Sequence, residues 1–229
     1  MRLQSDAFRT AVCVAAMAIV LSTGTAGAQD PESITLARRT IGVWTAIARD
    51  QPLETRAGDT RDRDLYFVGV RARWQLLRSR RVELAYIADI LPAVVSTGMP
   101  SYADVPPSCP PSGPCVIPAS IRQEMTRQAV YGAGVAPAGL ELRLNVTRFL
   151  AFLARGDAGL VYFPRPVPDP EGRRLNFLGE AAVAAEVRLA QRVWLTGGYR
   201  FNHISNGGSA PVNTGMDSRM LELGLTFVR

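Results

Sequence analysis

Along much of this chain apolar and polar side chains alternate with a period of two, the pattern of a strand whose two faces meet different surroundings. From Val82 to Ile90 the apolar set is Val82, Leu84, Tyr86, Ala88 and Ile90, while Arg81, Glu83 and Asp89 share the opposite face. Tyr66, Val68, Val70, Ala72, Trp74 and Leu76 alternate in the same way with Arg71, Arg73 and Gln75. Further on, Leu175, Phe177, Gly179, Ala181, Val183, Ala185, Val187 and Leu189 stand against Arg174, Asn176, Glu180, Glu186 and Arg188.

Extended over the chain, the pattern predicts eight strands, near residues 33–48, 63–78, 80–95, 127–145, 148–163, 173–190, 192–205 and 215–228. Many exceed the usual strand length of a soluble domain. Tight connections at 78–81, 145–148 and 190–192 alternate with longer ones at 49–62, 96–126, 164–172 and 206–214, rich in Pro, Gly, Asp and Ser. A soluble sandwich also alternates, so the pattern alone does not separate the two folds. An even strand number with tight turns at one end and long loops at the other favours an all-β, eight-stranded antiparallel transmembrane β-barrel. The long loops then face outward from the cell and both termini the periplasm. So small a barrel is filled by side chains, and its inward charges, including Arg71, Arg73, Glu83, Asp89, Glu141, Arg143, Arg155, Asp157, Glu180, Glu186, Arg200 and Glu222, are expected to pair with one another. The first strand is the least regular. Ile34 and Leu36 lie on one parity and Ile41, Val43 and Thr45 on the other, which a bulge near Arg38 would reconcile.

The N-terminus adds an export signal. Arg2 and Arg9 precede an apolar run from Ala11 to Leu21, and Ala26-Gly27-Ala28 supplies the small residues of a cleavage site, so residues 1–28 read as a cleaved signal peptide and 29–229 as one barrel domain. All basic side chains are arginines, and they are scattered along the chain. The net charge of +6 therefore fits barrel lining or anionic lipid better than nucleic acid. Cys13 leaves with the leader. Cys109 and Cys115, in SCPPSGPC, read as a small disulfide loop of an exported protein, and nothing nearby completes a metal shell.

Candidate chemistry gathers in YRFNHISNGGSAPVNTGMD, Tyr199 to Asp217, which holds the chain's one histidine, His203. Ser205 lies two residues on, and so on the same strand face. That face also carries Val193, Leu195, Tyr199 and Phe201, so both residues point outward, towards lipid. In the last strand Asp217 shares its parity with Leu221, Leu223, Leu225 and Phe227. An antiparallel hairpin would bring it beside His203, within about 5 Å between Cβ atoms. Nucleophile, base and orienting carboxylate would then converge on the outer wall, where the substrate is a lipid.

HISN followed by PVNTGMD is similar to the motif of the lipid A 3-O-deacylases (PagL), eight-stranded outer-membrane barrels in which His-x-Ser-Asn precedes an asparagine and a glutamate. The resemblance implies Ser205, His203 and Asp217 as catalytic residues. It also implies Asn206 and Asn213 as site positions and lipid A of lipopolysaccharide as substrate. From the residues themselves, Asn206 with a backbone N–H of the Gly207 and Gly208 turn is the oxyanion or substrate-binding candidate, Asn213 shapes the loop or assists, and nothing demands a cofactor or metal. The expected location is the bacterial outer membrane, with outer-membrane lipid as surroundings, no nucleic acid, and a homodimer left open. Asp217 is one methylene shorter than the family's glutamate and needs a close approach of the two strands. FNHISNG also resembles outer-membrane phospholipase A, whose twelve strands and calcium fit this chain less well. A non-enzymatic structural or adhesive barrel is the reading from another class.

Overall fold

The structure is a computed structural model and describes residues 39–49, 54–55, 58–59, 63–98, 128–168, 170–211, 213 and 215–228. The leader, residues 33–38 and the Cys109 and Cys115 loop lie outside the described residues.

Eight long strands close into an antiparallel barrel. They are β1 (Arg39–Ala48), β4 (Asp64–Arg78), β5 (Val82–Gly98), β6 (Gln128–Asn145), β7 (Leu150–Tyr162), β8 (Leu175–Ala190), β9 (Val193–Ser205) and β10 (Met216–Val228). Each pairs with its neighbour in the chain, and β1 closes the ring between β4 and β10. Two-residue strands β2 (Glu54–Thr55) and β3 (Gly58–Asp59) form a separate ribbon within a segment expected to be loop throughout. No helix occurs among the described residues.

The period-two pattern is realised as burial. In β8 Asn176, Leu178, Glu180, Ala182, Ala184 and Glu186 are buried, and Leu175, Phe177, Ala181, Val183, Val187 and Leu189 exposed. Ile41, Val43, Leu140, Leu144, Phe152, Leu221 and Leu223 continue this exposed apolar band around the wall. A water-soluble sandwich would have turned that face inward; here it is the outside, as a membrane-spanning barrel requires. In the first strand Ile41, Val43 and Thr45 point outward, as the sequence parity after Arg38 implies. The expected bulge at Arg38 is outside the described residues. Elsewhere register shifts fall between Leu91 and Val94 and between Val135 and Ala138, around Pro92 and Pro137. Proline cannot donate to the ladder, and a bulge is where a sheet accommodates it.

Inside, the two ends differ. Towards the tight turns the interior is charged. Arg73 bonds Glu141 and Glu83, Arg155 bonds Glu141 and Glu222, Arg143 bonds Glu186, and Arg71 forms a bidentate pair with Asp89. Arg200, fully buried, reaches Glu222 at 2.7 Å and Glu180 at 2.7 Å and lies 3.9 Å over the Trp44 ring. That indole explains Gly69, whose added Cβ would stand 2.2 Å from the ring. Towards the long loops the interior becomes an apolar plug of Leu65, Phe67, Leu91, Val94, Val161, Phe163, Leu178, Ile204, Met216 and Met220. The expected pairing of inward charges is thus present, while the apolar half is an addition to it.

Candidate active site

The plug fixes the site from behind. In β9 Asn202 and Ile204 are buried, so alternation turns His203 and Ser205 to the outer wall. In β10 Met216 and Ser218 are buried, and Asp217 between them faces outward. Asp217 and His203 are directly opposed in the ladder, beside the Met216 and Ile204 pair. The cross-strand register therefore sets the three-residue geometry without help from a loop.

His203 Nδ1 lies 2.5 Å from Asp217 Oδ1, and His203 Nε2 lies 3.1 Å from Ser205 Oγ. With Asp217 ionised, Nδ1 is the donor and carries the proton. Nε2 is then left to accept the Ser205 hydroxyl proton, the tautomer a general base requires. The shorter aspartate reaches the imidazole because its Cα is paired straight across from that of His203. About half of the His203 side chain and a third of that of Asp217 are exposed, so the triad is open to whatever lies against the wall.

The other predicted site residues organise the turn after Ser205. Asn206 is buried, its backbone N–H donates to Asn213 Oδ1 at 3.0 Å, and its own Oδ1 accepts the Gly208 N–H at 2.9 Å. Ser209 returns to the Asn206 carbonyl with both its N–H and its hydroxyl. Gly207 and Gly208 have φ of 64° and 76°, the left-handed region that glycine adopts without strain. Asn213 and Gly208 therefore shape the turn.

Three contributors escaped the motif. Gly215 lies under the imidazole, where an added Cβ would come within 3.0 Å of His203 Cε1; its spacing of two before Asp217 placed it on the same face. Gly179 pairs with His203 from the other side, and a Cβ there would meet nothing within 4 Å, leaving the approach to the ring clear. Phe177 pairs with Ser205 and packs on Gly207. Gly179 and Phe177 follow from the register of β8 on β9, which no local motif encodes.

A closed eight-stranded antiparallel barrel with an apolar outer band defines a class, the outer-membrane-type barrel, and on that band this one holds Ser205, His203 and Asp217 in a hydrogen-bonded line. Within that class, residues 132–226 match the family model described as lipid A 3-O-deacylase (PagL), from early in β6 to near the end of β10. The resemblance carried by HISN and Asp217 is thereby established over the last five strands. The crystal structure of the outer membrane enzyme PagL superposes with a TM-score of 0.53 at 14% identity, covering 80% of this chain and 97% of that one. Neisserial surface protein A gives 0.45 at 10% identity, covering 82% and 96%, and the N-terminal barrel domain of Pseudomonas aeruginosa OprF 0.40 at 10%, covering 84% and 99%. At 14% identity the likeness to the PagL structure shows the fold. No curated protein matches the chain by sequence.

Proposed function

We propose that this protein is an outer-membrane esterase that removes the 3-O-linked acyl chain from lipid A, using Ser205, His203 and Asp217 at the lipid-facing surface. The observation that carries the reading is the hydrogen-bonded chain from Asp217 through His203 to Ser205 on the exposed apolar wall, within the span that matches the lipid A 3-O-deacylase family. A soluble substrate would have no reason to meet a triad on a greasy exterior. An ester in the outer leaflet meets it by lateral diffusion.

In the first half-reaction Ser205 Oγ attacks the ester carbonyl carbon while its proton passes to His203 Nε2. Collapse of the tetrahedral intermediate breaks the bond to the sugar oxygen, which takes that proton and leaves as a hydroxyl. Water then gives a proton to Nε2, attacks the acyl-enzyme and releases the fatty acid as Ser205 recovers its proton. Asp217 holds the tautomer and stabilises the imidazolium in both halves. For the oxyanion we assign Asn206 and the backbone of the Gly207 and Gly208 turn. The Gly208 N–H, held by Asn206 Oδ1, contributes by keeping that turn in place. Export with cleavage near Ala28 and a Cys109 to Cys115 disulfide complete the proposal.

The test is fatty-acid release from lipid A by the purified, refolded barrel in mixed micelles. Ser205→Ala and His203→Ala should each lower kcat by about 10⁴-fold or more, while both variants keep the heat-modifiable mobility of a folded barrel. Wild type that cleaves phospholipids and needs calcium would favour the phospholipase reading. A folded wild type inert towards both lipids would leave a structural barrel.

A further inference from the structure

On the loop side of Ser205 the outer wall opens into a groove that the ester chemistry does not use. It has a volume of about 610 Å³, within the range of small-molecule sites. Its position is set by register. Phe177 is paired with Ser205, Leu160 with Phe177, and Tyr162 with Leu175 one step nearer the loops. Leu160, Tyr162, Leu175 and Phe177 supply apolar walls, and Arg173, Arg174 and Ser209 lie at the polar side. Glu171, the carboxylate nearest in sequence, is not among the lining residues.

Arg173 is held in place. Its Nε and Nη2 donate to the Ser209 carbonyl at 3.1 and 2.8 Å, which uses two of the five N–H donors of a guanidinium. Ser209 in turn is bonded to Asn206, so the groove and the turn beyond the nucleophile form one continuous surface. The bilayer gives that surface a direction. A lipid with its ester at Ser205 sends its acyl chains down the wall past Gly179, into the membrane. Its headgroup points the other way, into the groove.

We propose that this groove is the headgroup subsite of the glycolipid substrate. One sugar ring lies against Tyr162 and Phe177, and a phosphate on that sugar is bound by Arg173 and Arg174. The proposal rests on the lipid A reading for its substrate and adds the part of the lipid that is recognised. An arginine fork matches phosphate oxygens, and fixed aromatic walls suit the apolar face of a pyranose better than the small, mobile headgroup of a phospholipid.

Binding tests this separately from catalysis. The full-length Ser205→Ala barrel in detergent micelles is titrated calorimetrically with bisphosphorylated lipid A, with the same lipid A after phosphate removal, and with phosphatidylglycerol. Bisphosphorylated lipid A should bind at least about tenfold more tightly than either of the others, the scale of one charge-assisted pair. The double variant R173Q/R174Q should abolish that preference. Leu175→Trp, which fills the groove without touching the Arg173 to Ser209 bonds, should weaken bisphosphorylated lipid A by about tenfold as well. Equal binding with and without phosphate, equal binding of phosphatidylglycerol, or a preference that survives in both variants would overturn the proposal. Wild type that shows the preference yet releases no fatty acid would instead sink the esterase reading and leave the subsite standing.

Discussion

His203 divides its two ring nitrogens between a carboxylate and a hydroxyl, and the proposed roles follow that division. Asp217→Asn keeps the shape of the side chain but can hold the imidazole in the wrong tautomer, so kcat on lipid A should fall by about 10²- to 10⁴-fold with little change in KM. Steady-state kinetics on the refolded variant checks it. Gly207 gives a second residue-scale expectation. An alanine there combines a left-handed φ with a Cβ 2.8 Å from the Phe177 ring, so Gly207→Ala should displace the turn and reduce activity at least tenfold, of the order of 1–3 kcal/mol of strain. Circular dichroism should show the barrel intact. The triad itself was legible in the sequence, because a spacing of two and a shared parity are enough to place three side chains on one wall. Gly179 and Phe177 were not, since their roles exist only once β8 is set in register on β9. Asn206 and Asn213 stood out by motif, but the bond between them is a product of how the turn closes.

Strand identity and facing were read almost whole from alternation, and where the reading stopped there is a physical reason. Pro92 and Pro137 interrupt the ladder, and beyond each of them the inward parity changes: Asp89 and Leu91 are buried before Pro92, Val94 and Ser96 after it. A pattern of fixed period cannot carry that switch, which is why the inward place of Val94 in the apolar plug went unforeseen. The charged half was foreseen as a set of pairs, and Arg200 sits at its centre. Replacing it by methionine leaves Glu180 and Glu222 buried without their shared cation. Arg200→Met should therefore cost about 3–5 kcal/mol of unfolding free energy, read from urea titration of the refolded barrel. Near-unchanged stability would show that the interior rearranges around the loss.

The closed barrel has its salt bridges inside one half and a continuous apolar band outside, the distribution a membrane-spanning barrel requires. Leu223, near the middle of β10 on the outer band, tests it. Leu223→Arg should cost about 2–4 kcal/mol in lipid vesicles if that face meets the hydrocarbon core. At an aqueous surface the same change would cost within about 0.5 kcal/mol. The asymmetry of tight turns at one end and long connections at the other puts the triad at the loop end, which on the proposed reading faces the outer leaflet. The most direct test of the central claim is the mass of lipid A extracted from cells expressing the full chain. Wild type should shift it down by one ester-linked hydroxyacyl chain, and an equally abundant, folded Ser205→Ala barrel should leave it unshifted. Unshifted lipid A with inserted wild type, or the same shift with Ser205→Ala, would contradict the account.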